Sequence, residues 1–196
     1  MSVAETVADQ RAVRGASGPI LGMVLFVASE AMFFAAFFGA YFTIKAAHSV
    51  WPPRGIPVPH LALPATATAL LVGSSFVLQA GVWAIRKGHT RRLEGWLALT
   101  ILMGVGFLVL QLRDYSQTGF GIHDGVYPSL FYVMTSLHMA HVFGGVVFLA
   151  LVLFQARTGQ LSLARHEPVE AAAIYWHFVD MVWIGLFTIF YIMAQR

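Results

Sequence analysis

The sequence predicts an all-α polytopic membrane protein, a bundle of five transmembrane helices. Three observations lead there. Of the 196 residues, 58% are hydrophobic and only 11% charged, with a mean hydropathy of +0.72; a soluble domain carries about 25% charged residues. Five apolar runs, at roughly 19–44, 61–85, 95–116, 129–154 and 171–194, approach or exceed the length that crosses a bilayer, about 20 residues. None of them alternates polar with apolar as a lipid-facing barrel strand would. Backbone in hydrocarbon must satisfy its own hydrogen bonds, so the runs are helices.

Each element has its own justification. The opening "MSVAETVADQRAVRG" is polar and of mixed charge, without a basic segment leading into an apolar one, so residues 1–17 read as a tail and not as a secretory signal. The first run contains "ASEAMFFAAFF", with Glu30 near its middle. "WPPRGIPVPHLALP" (51–64) holds five prolines and separates the first run from the second. "RKGHTRR" (86–92) is a short basic turn leading to the third run, which "DYS" (114–116) extends into the interface. Asp114 beside Arg113 reads as a local ion pair, and Gln79 and Gln111 as bonds between helices. The glycine-rich "TGFGIHDGVYP" (118–128) precedes the fourth run, and "RTGQLSLARHEP" (157–168) precedes the fifth. No linker is long enough for a second domain and no internal repeat is visible, so 1–196 reads as a single membrane domain.

Charge orients the bundle. Arg11, Arg14, Arg86, Lys87, Arg91, Arg92, Arg157 and Arg165 fall on the side of the N-terminus, against Lys45, Arg54, Arg113 and Arg196 on the other. Lysine and arginine favour the cytoplasmic side, so the expectation is a cytoplasmic N-terminus and an external C-terminus. The basic residues are scattered through loops and make no nucleic-acid surface. With no cysteine, disulfides, thiolate metal sites and cysteine nucleophiles are excluded. Neither a phosphate-cradling glycine loop, a nucleophile elbow nor a zincin motif is present, and no catalytic residue is assigned.

Polar groups recur at one depth. Glu30 lies near the middle of the first run, His138 and His141 near the middle of the fourth, and His177 and Asp180 inside the fifth. A charge at the bilayer centre costs at least about 2.5–3.5 kcal/mol, so such groups turn inward or toward a neighbour and pair or stay neutral. His138 and His141, three apart, share a helical face, as do His177 and Asp180. Ser136, Ala140 and Gly144 form a small-residue stripe suited to close helix approach. Trp176, Asp180, Trp183 and Phe187 form an aromatic stripe around the carboxyl. Three readings stand. The five polar groups could ligate a metal, although a haem held by two histidines needs them on facing helices and here the pairs share a helix. Glu30 could carry protons. Or the groups hydrogen-bond one another and fix the packing of the first, fourth and fifth helices.

Three segments resemble a known family, subunit III of the haem-copper terminal oxidases, in a short five-helix form. "SEAMFF" (29–34) resembles that family's helix with a membrane-buried glutamate, "FYVMTSLHMAHVFGG" (131–145) its two-histidine segment, and "YWHFVDMVWIGLFTIFY" (175–191) its Tyr-Trp-His-Phe-Val-Asp signature. The similarity continues through "SSF" (74–76) and "LQLRDYS" (110–116), where Asp114 stands for a common glutamate, and it covers nearly the whole chain from about residue 18. The long form of the family has seven helices, of which this sequence corresponds to the last five.

The resemblance implies a part of an enzyme. In the family, oxygen is reduced at haem and copper on subunit I, and subunit III carries no redox metal. It packs on subunit I, near subunit II and a small subunit IV, holds phospholipid, supports proton uptake and lasting turnover, and can join a respiratory supercomplex in the bacterial cytoplasmic (inner) membrane. His138 and His141 are then structural polar residues lining a lipid- or helix-facing groove. The electron donor, cytochrome c or quinol, stays open. A nitric oxide reductase accessory protein of the same family and a small transporter or membrane cytochrome remain as alternatives.

Overall fold

A computed structural model describes residues 18–57, 59–162 and 165–195. It contains α1 (Gly18–Ala46), α2 (Ala62–Arg86), α3 (Thr90–Tyr115), α4 (Val126–Arg157) and α5 (Glu167–Phe187). A π-helical turn, Thr188–Ile192, and a 3₁₀ turn, Met193–Gln195, prolong α5. All five helices are long and apolar enough to cross a membrane. The described residues form no strand, only an isolated bridge between Ser162 and Arg165. The expected tail at 1–17, with Arg11 and Arg14, and Arg196 lie outside the described residues.

The helices overrun the apolar runs, because hydropathy marks hydrocarbon depth while hydrogen bonding continues into the interface. α3 begins at Thr90, taking in the basic Arg91 and Arg92, and α4 begins at Val126. Pro64, Pro128 and Pro168 therefore sit in first turns, where a missing N–H costs nothing because that donor has no partner inside the helix. Between α2 and α3 the turn shrinks to Lys87–His89. Gly88 adopts φ +78°, its N–H bonds the Ile85 carbonyl at 2.8 Å and the His89 N–H bonds Ala84 at 2.9 Å. These bonds satisfy the last carbonyls of α2 and reverse the chain within one turn. Deeper in the same hairpin, a Cβ on Gly81 would lie 3.1 Å from Cβ of Trp96, so glycine permits the close approach.

The contact order is a ring: α2 packs on α3, α3 on α4, α4 on α5, and α5 back on α2, with α1 leaning on α5 from outside. Half of α5's apolar segment is buried, against 6% of α1's. α5 is thus the core helix, and α1 leaves most of its surface uncovered by the described chain. Trp176 and Trp183 fill the ring's centre. They fit because α3 and α4 offer glycines: a Cβ on Gly104 would stand 2.7 Å from the Trp176 ring and one on Gly145 2.8 Å from it. At the α1 contact Gly185 does the same for Phe38, at 2.8 Å.

Two expectations change here. The Ser136–Ala140–Gly144 stripe is exposed, and the glycine that meets a neighbour is Gly145, one position round the helix. Asp114 makes no local pair with the exposed Arg113. It turns inward, is 4% exposed and accepts the Tyr191 hydroxyl at 2.6 Å. Adjacent residues on a helix do not face each other, whereas Tyr191 is brought across the bundle by the π turn. Gln111 also donates to Tyr191, at 3.2 Å. The carbonyls of Ile189 and Phe190, near the end of α5's extension, receive the hydroxyls of Tyr41 and Tyr127, each at 3.1 Å. A helix end without these donors would leave buried carbonyls unpaired.

Candidate functional site

The polar midplane is three separate constellations. The first joins α1 to α4. Nε2 of His141 lies 3.0 Å from Oε2 of Glu30, and its Nδ1 lies 2.7 Å from the carbonyl of Leu137. A carbonyl only accepts, so Nδ1 carries a proton. One further proton then lies between Nε2 and Oε2, either on the carboxyl or on the imidazole. In both cases the pair as a whole is uncharged, which meets the cost of charge at this depth. Phe34 places its ring edge against His141, with centroids 5.0 Å apart, and the Tyr175 hydroxyl donates to the His141 carbonyl at 3.0 Å. Glu30 and His141 side chains are about one-fifth exposed (22% and 18%).

The second is His138 alone. It shares a helical face with His141, yet one turn of packing separates their fates. His138 is fully buried, stacked on Trp183 at 5.1 Å and met edge-on by Phe107 at 5.8 Å. Neither of its ring nitrogens has a hydrogen-bond partner among the described residues. It lines no groove, contrary to the expectation from sequence, because α3 and α5 close over it.

The third joins α5 to α2. The Ser75 hydroxyl donates to Oδ2 of Asp180 and stands 2.9 Å from Nδ1 of His177. Its one hydrogen is committed to the carboxyl, so it accepts from Nδ1–H of His177. The order is imidazole, hydroxyl, carboxylate. A nucleophilic triad needs the histidine in the middle to take the hydroxyl proton, so this arrangement does not activate Ser75. Nε2 of His177 lies 3.4 Å from the Gln79 amide. These groups line an outward groove of about 330 Å³ whose walls include Phe76 and Met181. Flanking it, Trp176 donates to Ser74 at 2.8 Å and Trp183 to Thr68 at 2.9 Å. The aromatic stripe of α5 is therefore clasped to α2 by three side-chain bonds. His177 and Asp180 face α2, away from Glu30 and the α4 histidines.

Ser75, Thr68 and Tyr191 were not singled out by sequence reasoning. The adjacent serines in "SSF" were the available signal for Ser75; nothing marks a tyrosine whose partner lies on another helix. As for metal, no three His, Asp or Glu side chains converge among the described residues. The ring nitrogens of His141 and His177 are engaged by Leu137, Glu30, Ser75 and Gln79.

The family described as cytochrome c oxidase subunit III matches residues 2–195. Cytochrome c oxidase subunit 3 of Thermostichus vulcanus is 39% identical over 177 residues, covering 90% of this chain and 88% of that protein. The Synechocystis sp. protein of the same name is 38% identical over 175 residues, covering 89% and 75%. That of Locusta migratoria is 40% identical over 177 residues, covering 87% and 67%. With a match along almost its whole length and five membrane-crossing helices, the chain belongs to the cytochrome c oxidase subunit III family, the multi-pass membrane subunit III of haem-copper oxidase complexes.

Proposed function

We propose that the chain serves as the non-redox subunit of an oxidase that passes electrons from cytochrome c to oxygen. It packs on subunit I in the bacterial cytoplasmic (inner) membrane, with its N-terminus on the cytoplasmic side, and supports proton uptake, lipid retention and stability during turnover. Haem and copper, which supply the oxygen chemistry, reside on partner subunits in this reading. The chain's own residues contribute membrane-buried proton-holding groups, Glu30–His141 and His177–Ser75–Asp180.

The observation that carries the reading is the outward groove of Ser75, Gln79, His177 and Asp180. Asp180 lies buried at the floor of the groove, 5% exposed, while Ser75, Gln79 and His177 are half-buried in its walls; polar groups left against acyl chains at that depth are costly. Covered by a helix of another subunit the groove becomes an interface, which is how a subunit without its own catalytic centre is held in a complex.

The test is isolation of the tagged chain from its native membranes in mild detergent. The expected result is a stoichiometric complex with a haem- and copper-bearing subunit that consumes oxygen with reduced cytochrome c. Met181, 70% exposed beside the groove, should crosslink as Met181→Cys to that subunit and resist lipid-phase reagents until the complex is dissociated. A chain that isolates without a haem-copper partner, or with one that reduces nitric oxide in place of oxygen, overturns the proposal.

A further inference from the structure

At the opposite end of α2 from its proline-rich start, the turn into α3 frames a groove of about 630 Å³. Its size is in the range of ligand pockets, about 300–1,000 Å³. Small residues make the hollow: Ala80 and Ala84 on α2 face Gly95 on α3. A Cβ built on Gly95 meets nothing within 4 Å, so the space beside it is open. Two tryptophans form the walls. Trp83 is 57% exposed and Trp96 37%, with Leu99, 40% exposed, continuing the apolar surface toward the membrane interior. At the mouth stand Lys87, His89 and Arg92, all exposed.

The arrangement is amphipathic along one axis. Indole rings favour the boundary between headgroups and hydrocarbon, so Trp83 and Trp96 mark that boundary. Above it are two fixed positive charges and an imidazole donor. Below it the groove runs on between the indoles along Gly95 and Leu99. The charges are free to act on a ligand: the neighbouring Arg86 is the basic residue of the turn that is paired, to Glu170 at 2.8 Å, while Lys87 and Arg92 have no carboxylate within 4.0 Å among the described residues. Gly88 holds the geometry, since its left-handed φ closes α2 and sets Lys87 and Arg92 on one rim.

We infer that this groove is a binding site for one anionic glycerophospholipid, its phosphate held by Lys87, Arg92 and His89 and an acyl chain laid between Trp83 and Trp96 along Gly95 and Leu99. Basic pockets between transmembrane helices at the membrane surface select acidic headgroups, each Lys or Arg contributing about fivefold in affinity. The site lies away from the groove of Asp180 and depends only on the chain's spanning a membrane. It stands or falls independently of the partner proposed above.

The experiment is photo-crosslinking of the chain in its native membrane assembly with diazirine-bearing phosphatidylglycerol or phosphatidylcholine at equal mole fraction, followed by mass mapping of the peptides spanning 80–99. Phosphatidylglycerol should label this segment roughly 25-fold over phosphatidylcholine, the product expected of two basic residues at about fivefold each. Lys87→Gln with Arg92→Gln should bring the two lipids within about twofold. Gly95→Leu, which fills open space without a clash, should remove labelling by both while leaving the fold and the rim intact. Arg157→Gln, an exposed cation on the same side but outside the groove, should change nothing. Equal labelling by the two lipids in the unaltered chain, or an equal loss of preference in Arg157→Gln, overturns the inference in favour of ordinary annular lipid. Competition by millimolar inorganic phosphate assigns the rim to a free anion instead. Absence of lipid labelling together with protein crosslinks from Trp83→Cys assigns the groove to a partner's helix. Loss of the oxidase partner with lipid preference retained would sink only the assembly proposal.

Discussion

Glu30 and His141 meet across 3.0 Å between α1 and α4, and the second nitrogen of the imidazole is tied to its own helix at Leu137. The contact ties α1 to α4 through a hydrogen bond between carboxyl and ring. α1 has few other inward anchors, chiefly Phe34 and Tyr41, so this pair, the Tyr41–Ile189 bond and the Phe38–Gly185 contact set where α1 stands.

An amide at position 30 can donate to Nε2 of a neutral His141, as a protonated carboxyl does. Glu30→Gln is therefore expected to assemble and to retain most oxygen consumption. Glu30→Ala leaves Nε2 without its partner and should cost about 1–3 kcal/mol, read as a lower thermal midpoint and less assembled complex. Proton release measured on the assembled Gln variant decides the role. Normal assembly with proton pumping abolished would make Glu30 an obligatory carrier and not a packing residue.

His138 gives the opposite expectation. Its nitrogens have no hydrogen-bond partners among the described residues, and an apolar side chain of similar size avoids burying unpaired polar atoms. His138→Met should be neutral or slightly stabilising in thermal unfolding of the purified chain, with unchanged turnover of the assembled complex. A loss of activity in a normally assembled Met variant would reveal a function that packing does not explain.

The clasp between α5 and α2 predicts a graded series. Ser74→Ala strands the buried Trp176 N–H and should cost about 1–3 kcal/mol. Ser75→Ala breaks the link from His177 to Asp180 but faces the groove, where another subunit or water can reach; its effect should be larger on crosslinking at Met181→Cys than on the thermal midpoint. Equal midpoints for Ser74→Ala and the unaltered chain would show that the indole has another acceptor.

Glycine positions one residue apart should behave oppositely. Gly145→Ala drives a methyl to 2.8 Å from Trp176 and should destabilise by about 1–3 kcal/mol. Gly144→Ala meets nothing closer than the Tyr175 hydroxyl at 3.6 Å; in the isolated chain it should be neutral or gain up to about 1 kcal/mol from helix propensity. Comparison of their thermal midpoints in one detergent checks the rotation of α4. Similar losses in both would mean that α4 is turned the other way.

By itself, the sequence determined that five helices are long and apolar enough to cross a membrane, and where Glu30, His138, His141, His177 and Asp180 sit along them. Those properties are local: apolar length sets a span, and position along a span sets depth. Its signature segments were also enough to place the chain beside the oxidase subunits, because "YWHFVD" and the two-histidine segment are contiguous. The tertiary structure alone decided who meets whom. Helical periodicity puts His138 and His141 on one face, but the neighbours crossing that face differ within a turn: Trp183 and Phe107 cover one ring while Glu30 meets the other. Periodicity likewise marked Ser136, Ala140 and Gly144 as an interface, and the close approach went to Gly145 because a tryptophan from α5 required it. Asp114 looked sideways to Arg113 in sequence and across the bundle to Tyr191 in space. Each of these outcomes depends on how the helices rotate about their axes, which is set by the sum of packing contacts across the bundle and is written in no single stretch of residues.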